Sequence, residues 1–182
     1  MIRNIFTGLV VLICLTVSSA AFAQEFSGLD KSPADIAYFR TERNAPPLIK
    51  VIYSRPQLKG REVGVDLAAY GEVWRTGANE ATEIRFFKDM VLGETTIPAG
   101  TYSLFSIPGK EEWTIIINKD TDTWGAYSYN AEQDVARFAV PASSGDESLD
   151  AFSITFEAVE NGAHMHMGWG QTRVAVPFSV AQ

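Results

Sequence analysis

The stretch ITFEAVENGAHMHMGW, residues 154–169, predicts the fold more directly than any other part of the chain. Its Asn161-Gly162 pair is the strongest two-residue hairpin signal in the sequence and favours a type I′ turn. Such a turn pairs Glu160 with Ala163 and thereby sets the register of both strands. We therefore predict an antiparallel hairpin with Asn161-Gly162 at its tip.

The two faces of this hairpin differ in polarity. On one face every cross-strand pair is apolar: Ala158 with Met165, Phe156 with Met167 and Ile154 with Trp169. This face is predicted to line a core, because apolar pairs gain free energy when they leave water. The other face places Val159 opposite His164 and Glu157 opposite His166. Both histidines are therefore expected to point away from that core.

Strand-like runs continue on both sides of the hairpin, as short β-branched and aromatic segments separated by Gly, Pro, Asn and Asp. The predicted strands lie near residues 48–54, 82–87, 90–93, 101–108, 113–118, 135–140, 149–159, 163–169 and 173–180. About nine strands with almost no helix indicate one antiparallel β-sandwich domain over residues 48–182, and the jelly roll is one topology that fits.

Residues 24–47 are polar and interrupted by proline, and we predict an N-terminal arm with one short helix there. Ser32 precedes Pro33, and Asp35 follows three residues after the serine. This order is typical of a helix N-cap with proline at the first helical position. Pro46-Pro47 is expected to end the arm.

Residues 1–23 are typical of a cleaved export signal. Arg3 precedes an apolar run over 5–17, which is too short for a comfortable membrane span. Ala21-Phe22-Ala23 fits a signal-peptidase site. We expect cleavage after Ala23 and a periplasmic or secreted mature protein without a membrane span.

The single cysteine of the chain, Cys14, lies in this leader. Ile13 before it is not the small residue that lipid attachment needs, which favours an ordinary signal over a lipoprotein signal. The mature chain is then free of thiols. This excludes disulfides, thiolate nucleophiles, Cys-ligated zinc and iron–sulfur clusters.

The charge of the chain argues against one class of partner. Its 182 residues carry 22 acidic and 15 basic side chains, for a net charge of −7. The carboxylates are spread along the chain, so their field repels phosphate backbones. Nucleic-acid binding is not expected.

The densest group of ligand-binding residue types lies between Tyr53 and Thr82. Loops rich in Arg, Trp, Asn and Gly supply forked donors, planar surfaces and fixed acceptors. One hypothesis is a pocket for an anionic or hydroxylated ligand, with Arg55, Arg61, Trp74, Arg75, Asn79, Glu80 and Tyr129 as candidate residues. The alternative is structural, because the same side chains could satisfy the backbone groups of a long ordered loop.

Six segments together resemble a bacterial family called domain of unknown function 2911. They are YSRP (53–56), KGR (59–61), VWRTGANEAT (73–82), IPAGTYSLF (97–105), WTIIIN (113–118) and WGAYSY (124–129). The similarity covers about residues 32–180, and its WRTGANE block is distinctive. The resemblance implies an exported protein, of a kind common in the Bacteroidota, with a largely β fold and no established activity.

A second candidate region covers residues 120–137. Tyr127 and Tyr129 are two apart and would share a strand face, and Trp124 could extend this face into an aromatic platform. Asp134 and Arg137 could then bond the hydroxyl groups of a saccharide. Alternatively, the rings close one end of the sandwich, and Asp134 pairs with Arg137.

A third candidate is the His164-Met165-His166 segment, which contains the only two histidines of the chain. They share one strand face, and Glu157 across the hairpin could complete a two-histidine, one-carboxylate metal site. The alternative is that these side chains only decorate a solvent-facing surface.

Catalytic motifs are mostly absent from the sequence: there is no Gly-x-Ser-x-Gly elbow, phosphate loop, dinucleotide fingerprint or His-Glu-x-x-His helix. Three functions remain open. The favoured one is a module that binds a small polar ligand, either a saccharide or an anionic metabolite, without a cofactor. The second is a hydrolase that uses Glu80 or Asp134, or a metal on the histidines. The third is a non-catalytic protein that contacts another envelope protein.

Overall fold

The computed structural model describes residues 24–182, within which nine antiparallel strands form one open sheet with a single 3-10 turn at Ala131–Gln133. The strands are β1 (Ala34–Phe39), β2 (Ile49–Ser54), β3 (Thr82–Phe86), β4 (Met90–Leu92), β5 (Thr95–Ile97), β6 (Gly100–Ile107), β7 (Glu112–Asn118), β8 (Asp134–Val159) and β9 (Gly162–Val180). Their order across the sheet is β1-β2-β3-β6-β7-β8-β9-β4-β5. The predicted antiparallel β class is confirmed. The expected signal, its cleavage site and Cys14 lie outside the described residues.

β8 and β9 fold the sheet over on itself. The first part of β8 pairs with β7, and from Ala142 onward β8 pairs with β9, with register irregularities between Ser144 and Ser153. Side chains of this long hairpin cover the inner faces of the first three strands. The ring contacts are Phe39 with Phe156 at 6.2 Å, Tyr53 with Phe152 at 5.8 Å, and Phe86 with Phe178 at 5.3 Å. The core therefore lies between two facing halves, as in a sandwich.

The predicted N-terminal helix is wrong. Ala34–Phe39 is an edge strand that pairs with β2, with Ile36 opposite Ile52. Ala37 and Phe39 alternate with exposed residues and are buried in the core. The local N-cap signal at Ser32 is overridden because the strand buries the Phe39 ring and pairs its backbone with β2. The sheet thus begins at Ala34, ahead of the expected start at residue 48.

The hairpin at the end of the chain has a different register from the predicted one. Val159 pairs with Gly162, so the loop residues are Glu160 and Asn161, and Asn161 has a φ of 61°. Gly162 instead lies in close backbone contact with Phe178, where a Cβ would overlap the Phe178 carbonyl oxygen. The glycine is therefore required for close approach of two backbone segments and does not form the turn.

The corrected register leaves the two faces of the hairpin unchanged, because the pairing shifts by an even number of residues. Ile154, Met165, Met167 and Trp169 are buried in the core, as predicted. Phe156 is half-buried, and Ala158 is exposed because it lies close to the hairpin tip, so its predicted core position is wrong. On the outer face Glu157 lies opposite His164, and Thr155 lies opposite His166. None of the helical structure within residues 24–182 is long and apolar enough to cross a bilayer.

Candidate functional site

The side chain of Arg55 connects the end of β2 to β1 and β8. Its Nε donates to the Phe152 carbonyl at 3.0 Å, and its two terminal nitrogens donate to Asp35 at 3.0 Å and to the Ser153 hydroxyl at 2.7 Å. The guanidinium is therefore engaged on all three nitrogens. Arg55 therefore has the structural role considered above as the alternative to ligand binding: it satisfies polar groups of the protein itself.

Trp74 lies in the core and has only 8% of its surface exposed. Its ring stacks on Trp169 at 5.5 Å with an interplanar angle of 13°, and it meets Trp113 and Phe152 edge-on. Its backbone exchanges two hydrogen bonds with Ser106, at 2.7 and 2.9 Å. Trp74 thus anchors the start of the WRTGANE block inside the sandwich.

The WRTGANE block continues as an internally bonded loop. The buried Thr76 hydroxyl lies 2.9 Å from the Ser106 hydroxyl, and the Thr82 hydroxyl donates to the Thr76 carbonyl at 2.8 Å. The Arg75 carbonyl accepts from the Thr82 backbone at 3.1 Å. Arg75 Nε is buried and has no hydrogen-bond partner within the described residues.

The end of this block joins the second candidate region. Asn79 has a left-handed φ of 60°, and its carbonyl accepts from the Gly125 N–H at 3.0 Å. Its side chain donates to Asp30 at 3.1 Å, and Glu80 forms an antiparallel bridge with Trp124. Glu80 and Trp124 are exposed, so this end of the block lies at the surface.

Tyr129, Asp134 and Arg137 form one hydrogen-bonded network. Asp134 accepts from the Tyr129 hydroxyl at 2.7 Å, from Arg137 Nε at 2.6 Å and from Asn118 Nδ2 at 2.8 Å. The pKa of Tyr129 is raised to about 12, mainly by burial and secondly by the hydrogen bond to the Asp134 carboxylate. The hydrogen bond to Asp134 also raises the pKa of Arg137. The predicted Asp134–Arg137 pair is present.

Phe105 follows the core residue Leu104 on β6 and therefore faces the other side of the sheet. The Tyr129 ring packs edge-on against Phe105 at 5.1 Å, so this network lies on the outer face. Trp124 and Tyr127 are 61% and 88% exposed. The structure therefore places the three aromatic residues in different environments. A nearby cleft of about 200 Å³ is bordered by the carboxylates Glu80, Glu83 and Asp122.

Arg61 lies in a separate cleft of about 490 Å³, between the loop after β2 and the segment of β9 around Gly170. Arg61 Nε and one terminal nitrogen donate to the carbonyls of Leu58 and Gln57, at 3.1 and 2.9 Å. Leu58 is in turn held by a hydrogen bond from its N–H to the Asp150 carbonyl at 2.8 Å. The other polar or aromatic residues that line the cleft are Glu62, Tyr70, Ser148, Trp169, Gln171 and Thr172.

Most of these cleft residues were missed by the sequence analysis. Tyr70 lies on an irregular loop, and Gln171 follows Gly170, whose φ of 55° marks the bend of β9. Two glycines flank Trp169, and this interruption of a strand pattern is the signal that could have indicated a site. Of the predicted binding residues, only Arg61 lies in the cleft.

The histidine cluster lies on the outer face of the β8–β9 hairpin. His166 Nε2 is 3.0 Å from Glu157 Oε2, and the two imidazole rings are 6.1 Å apart at an angle of 70°. One ligand atom from each of Glu157, His164 and His166 lies within 4.8 Å of the others. The structure thus brings together the three residues that the sequence grouped.

Fold and clefts together define a class of antiparallel β protein in which one bent hairpin closes the core and shapes a surface cleft. The chain belongs to the family described as Protein of unknown function (DUF2911), whose model matches residues 32–178. This match confirms the resemblance seen in the sequence. No curated protein matches the chain, and no solved structure does.

Proposed function

We propose that this protein binds an uncharged polar ligand of the saccharide class in the cleft that contains Arg61 and Tyr70. The observation that carries the proposal is the composition of this cleft, which has a volume of about 490 Å³. Its lining includes an aromatic ring (Tyr70), a cation (Arg61), a carboxylate (Glu62) and an amide (Gln171). This volume is within the range of small-molecule sites.

The charges in the cleft favour a neutral ligand over an anion. Arg61 and Glu62 both line it, so its formal charges cancel. The chain carries a net charge of −7, which further disfavours an anionic ligand. The other two arginines expected to hold a ligand, Arg55 and Arg75, do not line the cleft, and Arg55 is engaged by Asp35 and by β8.

The residue types at the cleft match the chemistry of sugar rings. The Tyr70 ring can stack on the apolar C–H face of a pyranose. Arg61, Glu62 and Gln171 offer donors and acceptors to hydroxyl groups, which act as both. A saccharide uses both kinds of contact at once.

A second groove shares two lining residues with the cleft, which favours an extended ligand. Gln171 and Thr172 line both depressions, and the second one adds Lys110, Ser143 and Ser144. Its volume is about 200 Å³. We therefore favour an oligosaccharide over a single sugar unit.

The proposed compartment follows from the leader and not from the fold. Residues 1–23 have the pattern of an export signal, so we place the ligand in the periplasm or outside the cell. Polysaccharide fragments are ligands that an exported binding module would encounter there.

A glycan-binding screen with matched variants tests the proposal. We expect the wild-type chain to bind one glycan class, and Tyr70→Ala and Gln171→Ala to weaken this binding about tenfold or more. Tyr127→Ala is the control, because Tyr127 is 88% exposed and lies outside the cleft. A ligand at a hundred times its Kd should add about 2.7 kcal/mol to the free energy of unfolding. Absence of any bound glycan, or equal binding by the Tyr70 and Tyr127 variants, would exclude this function.

A further inference from the structure

The outer face of the β8–β9 hairpin presents three ligand-type side chains at one point. His164 and His166 are two residues apart on β9 and therefore project to the same side of the strand. Glu157 on β8 is the cross-strand partner of His164. Because adjacent strands fix these three positions, the cluster does not depend on a loop conformation.

The distances within the cluster suit a single metal ion. Ligand atoms at about 2.0–2.1 Å from a tetrahedral zinc ion lie roughly 3.3 Å from one another. In this protein the three ligand atoms lie within 4.8 Å of one another, and His166 Nε2 lies 3.0 Å from Glu157 Oε2. His166 Nε2 and Glu157 Oε2 thus already lie at about the separation expected of two ligands on one ion.

We propose that Glu157, His164 and His166 form a binding site for a divalent transition-metal ion of the zinc or copper type. Two imidazoles and one carboxylate are the ligands these ions accept, whereas magnesium and calcium prefer oxygen ligands alone. This site lies on the hairpin face and does not share a lining residue with the Arg61 cleft. The two proposals therefore stand or fall separately.

The surroundings of the cluster favour a cation and keep it accessible. Glu160 borders the same groove as His164 and adds a further negative charge. The side chains of His166 and Glu157 are 38% and 65% exposed, so an ion can enter from solvent. Three protein ligands leave a fourth tetrahedral position open for water or an external ligand.

Metal retention by the tag-free protein tests the site. After equilibration with zinc or copper(II) chloride and dialysis, we expect the wild-type chain to retain one equivalent of metal. Each of the variants Glu157→Gln, His164→Ala and His166→Ala should weaken the affinity about tenfold or more. Glu160→Gln is the matched control, because it removes a neighbouring carboxylate outside the three ligands. It should bind metal almost as well as the wild type.

A spectroscopic readout separates coordination from nonspecific attraction to an acidic surface. Cobalt(II) bound to the wild-type chain should give the intense visible absorption of a tetrahedral site, and each of the three ligand variants should lose it. Failure of the wild type to retain metal, or unchanged binding in any one of the three variants, would overturn the three-ligand site. Metal binding by Glu160→Gln that is as weak as in the three ligand variants would also overturn the three-ligand site.

Discussion

The aromatic ring of Tyr70 lies directly against the α-carbon of Gly64. A Cβ on residue 64 would overlap the ring, and Gly64 also has a left-handed φ of 85°. The Tyr70 N–H donates to the Gly64 carbonyl at 3.2 Å, which holds the loop closed around this contact. The position of the ring at the cleft is therefore set by the absence of a side chain six residues earlier.

Gly64→Ala should displace the Tyr70 ring and weaken ligand binding. The substitution has two costs: the strain of a left-handed alanine, roughly 1–2 kcal/mol, and the overlap with the ring. Gly93→Ala is a matched control, because Gly93 has a left-handed φ of 60° and a Cβ there would overlap the Phe138 ring, which lies outside the cleft. We expect both variants to lose thermal stability, and only Gly64→Ala to lose glycan affinity. Equal affinities in the two variants would show that the ring position does not matter.

Trp74→Ala should be among the most destabilising substitutions in the chain. The Trp74 ring is 8% exposed and contacts Trp113, Phe152 and Trp169, so its removal leaves a large cavity. We expect a loss of about 3–5 kcal/mol in the free energy of unfolding, measured by denaturant titration. Trp124→Ala is the control, because this ring is 61% exposed and should cost little. Comparable losses in the two variants would contradict the core position of Trp74.

Stability should fall at alkaline pH as Tyr129 ionises. Burial and the hydrogen bond to Asp134 raise the pKa of Tyr129 to about 12, above its ordinary value of 10.0. Between these values the folded chain holds a proton that the unfolded chain has lost. The stabilisation is therefore complete below pH 10 and is lost as the pH rises through about 12.

Unfolding experiments across this pH range test the Tyr129 network. In Tyr129→Phe the alkaline decline of stability should be shallower, although Tyr53 and Tyr102, whose pKa values are also raised by burial, still contribute. Tyr127→Phe should leave the decline unchanged, because Tyr127 is 88% exposed. An identical alkaline limb in the wild type and Tyr129→Phe would contradict the assignment.

The fold was largely predictable because its strands follow local alternation of apolar and polar residues. The errors occurred where distant contacts decide the local structure. Ser32 and Pro33 resemble a helix start, yet Phe39 is drawn into the core as part of an edge strand. Gly162 resembles a turn residue, but the approach of Phe178 determines its role.

The site was less predictable than the fold. The sequence singled out Arg61 but not Tyr70, which lies nine positions later on an irregular loop. Gln171 joins them only because the fold brings β9 against this loop, although Gln171 is 110 positions from Arg61. Trp74 and Arg55 have the residue types of a binding loop, but their roles are structural. Trp74 packs in the core, and Arg55 donates hydrogen bonds that connect β1 to β8. By contrast, Glu157, His164 and His166 were grouped correctly because a hairpin converts sequence spacing into proximity.

Chemical-shift mapping of the labelled protein shows whether a glycan binds in the Arg61 cleft. Trp169 lines the cleft, and its indole Nε1–H donates to the Asp150 carbonyl at 3.1 Å. Titration with the glycan found in the screen should therefore shift the Trp169 indole signal and the backbone signals of residues 60–70 and 170–172. The indole signal of the exposed Trp124 should stay in place. Shifts centred on Trp124 and residues 120–137, with none around Tyr70, would exclude glycan binding in the Arg61 cleft.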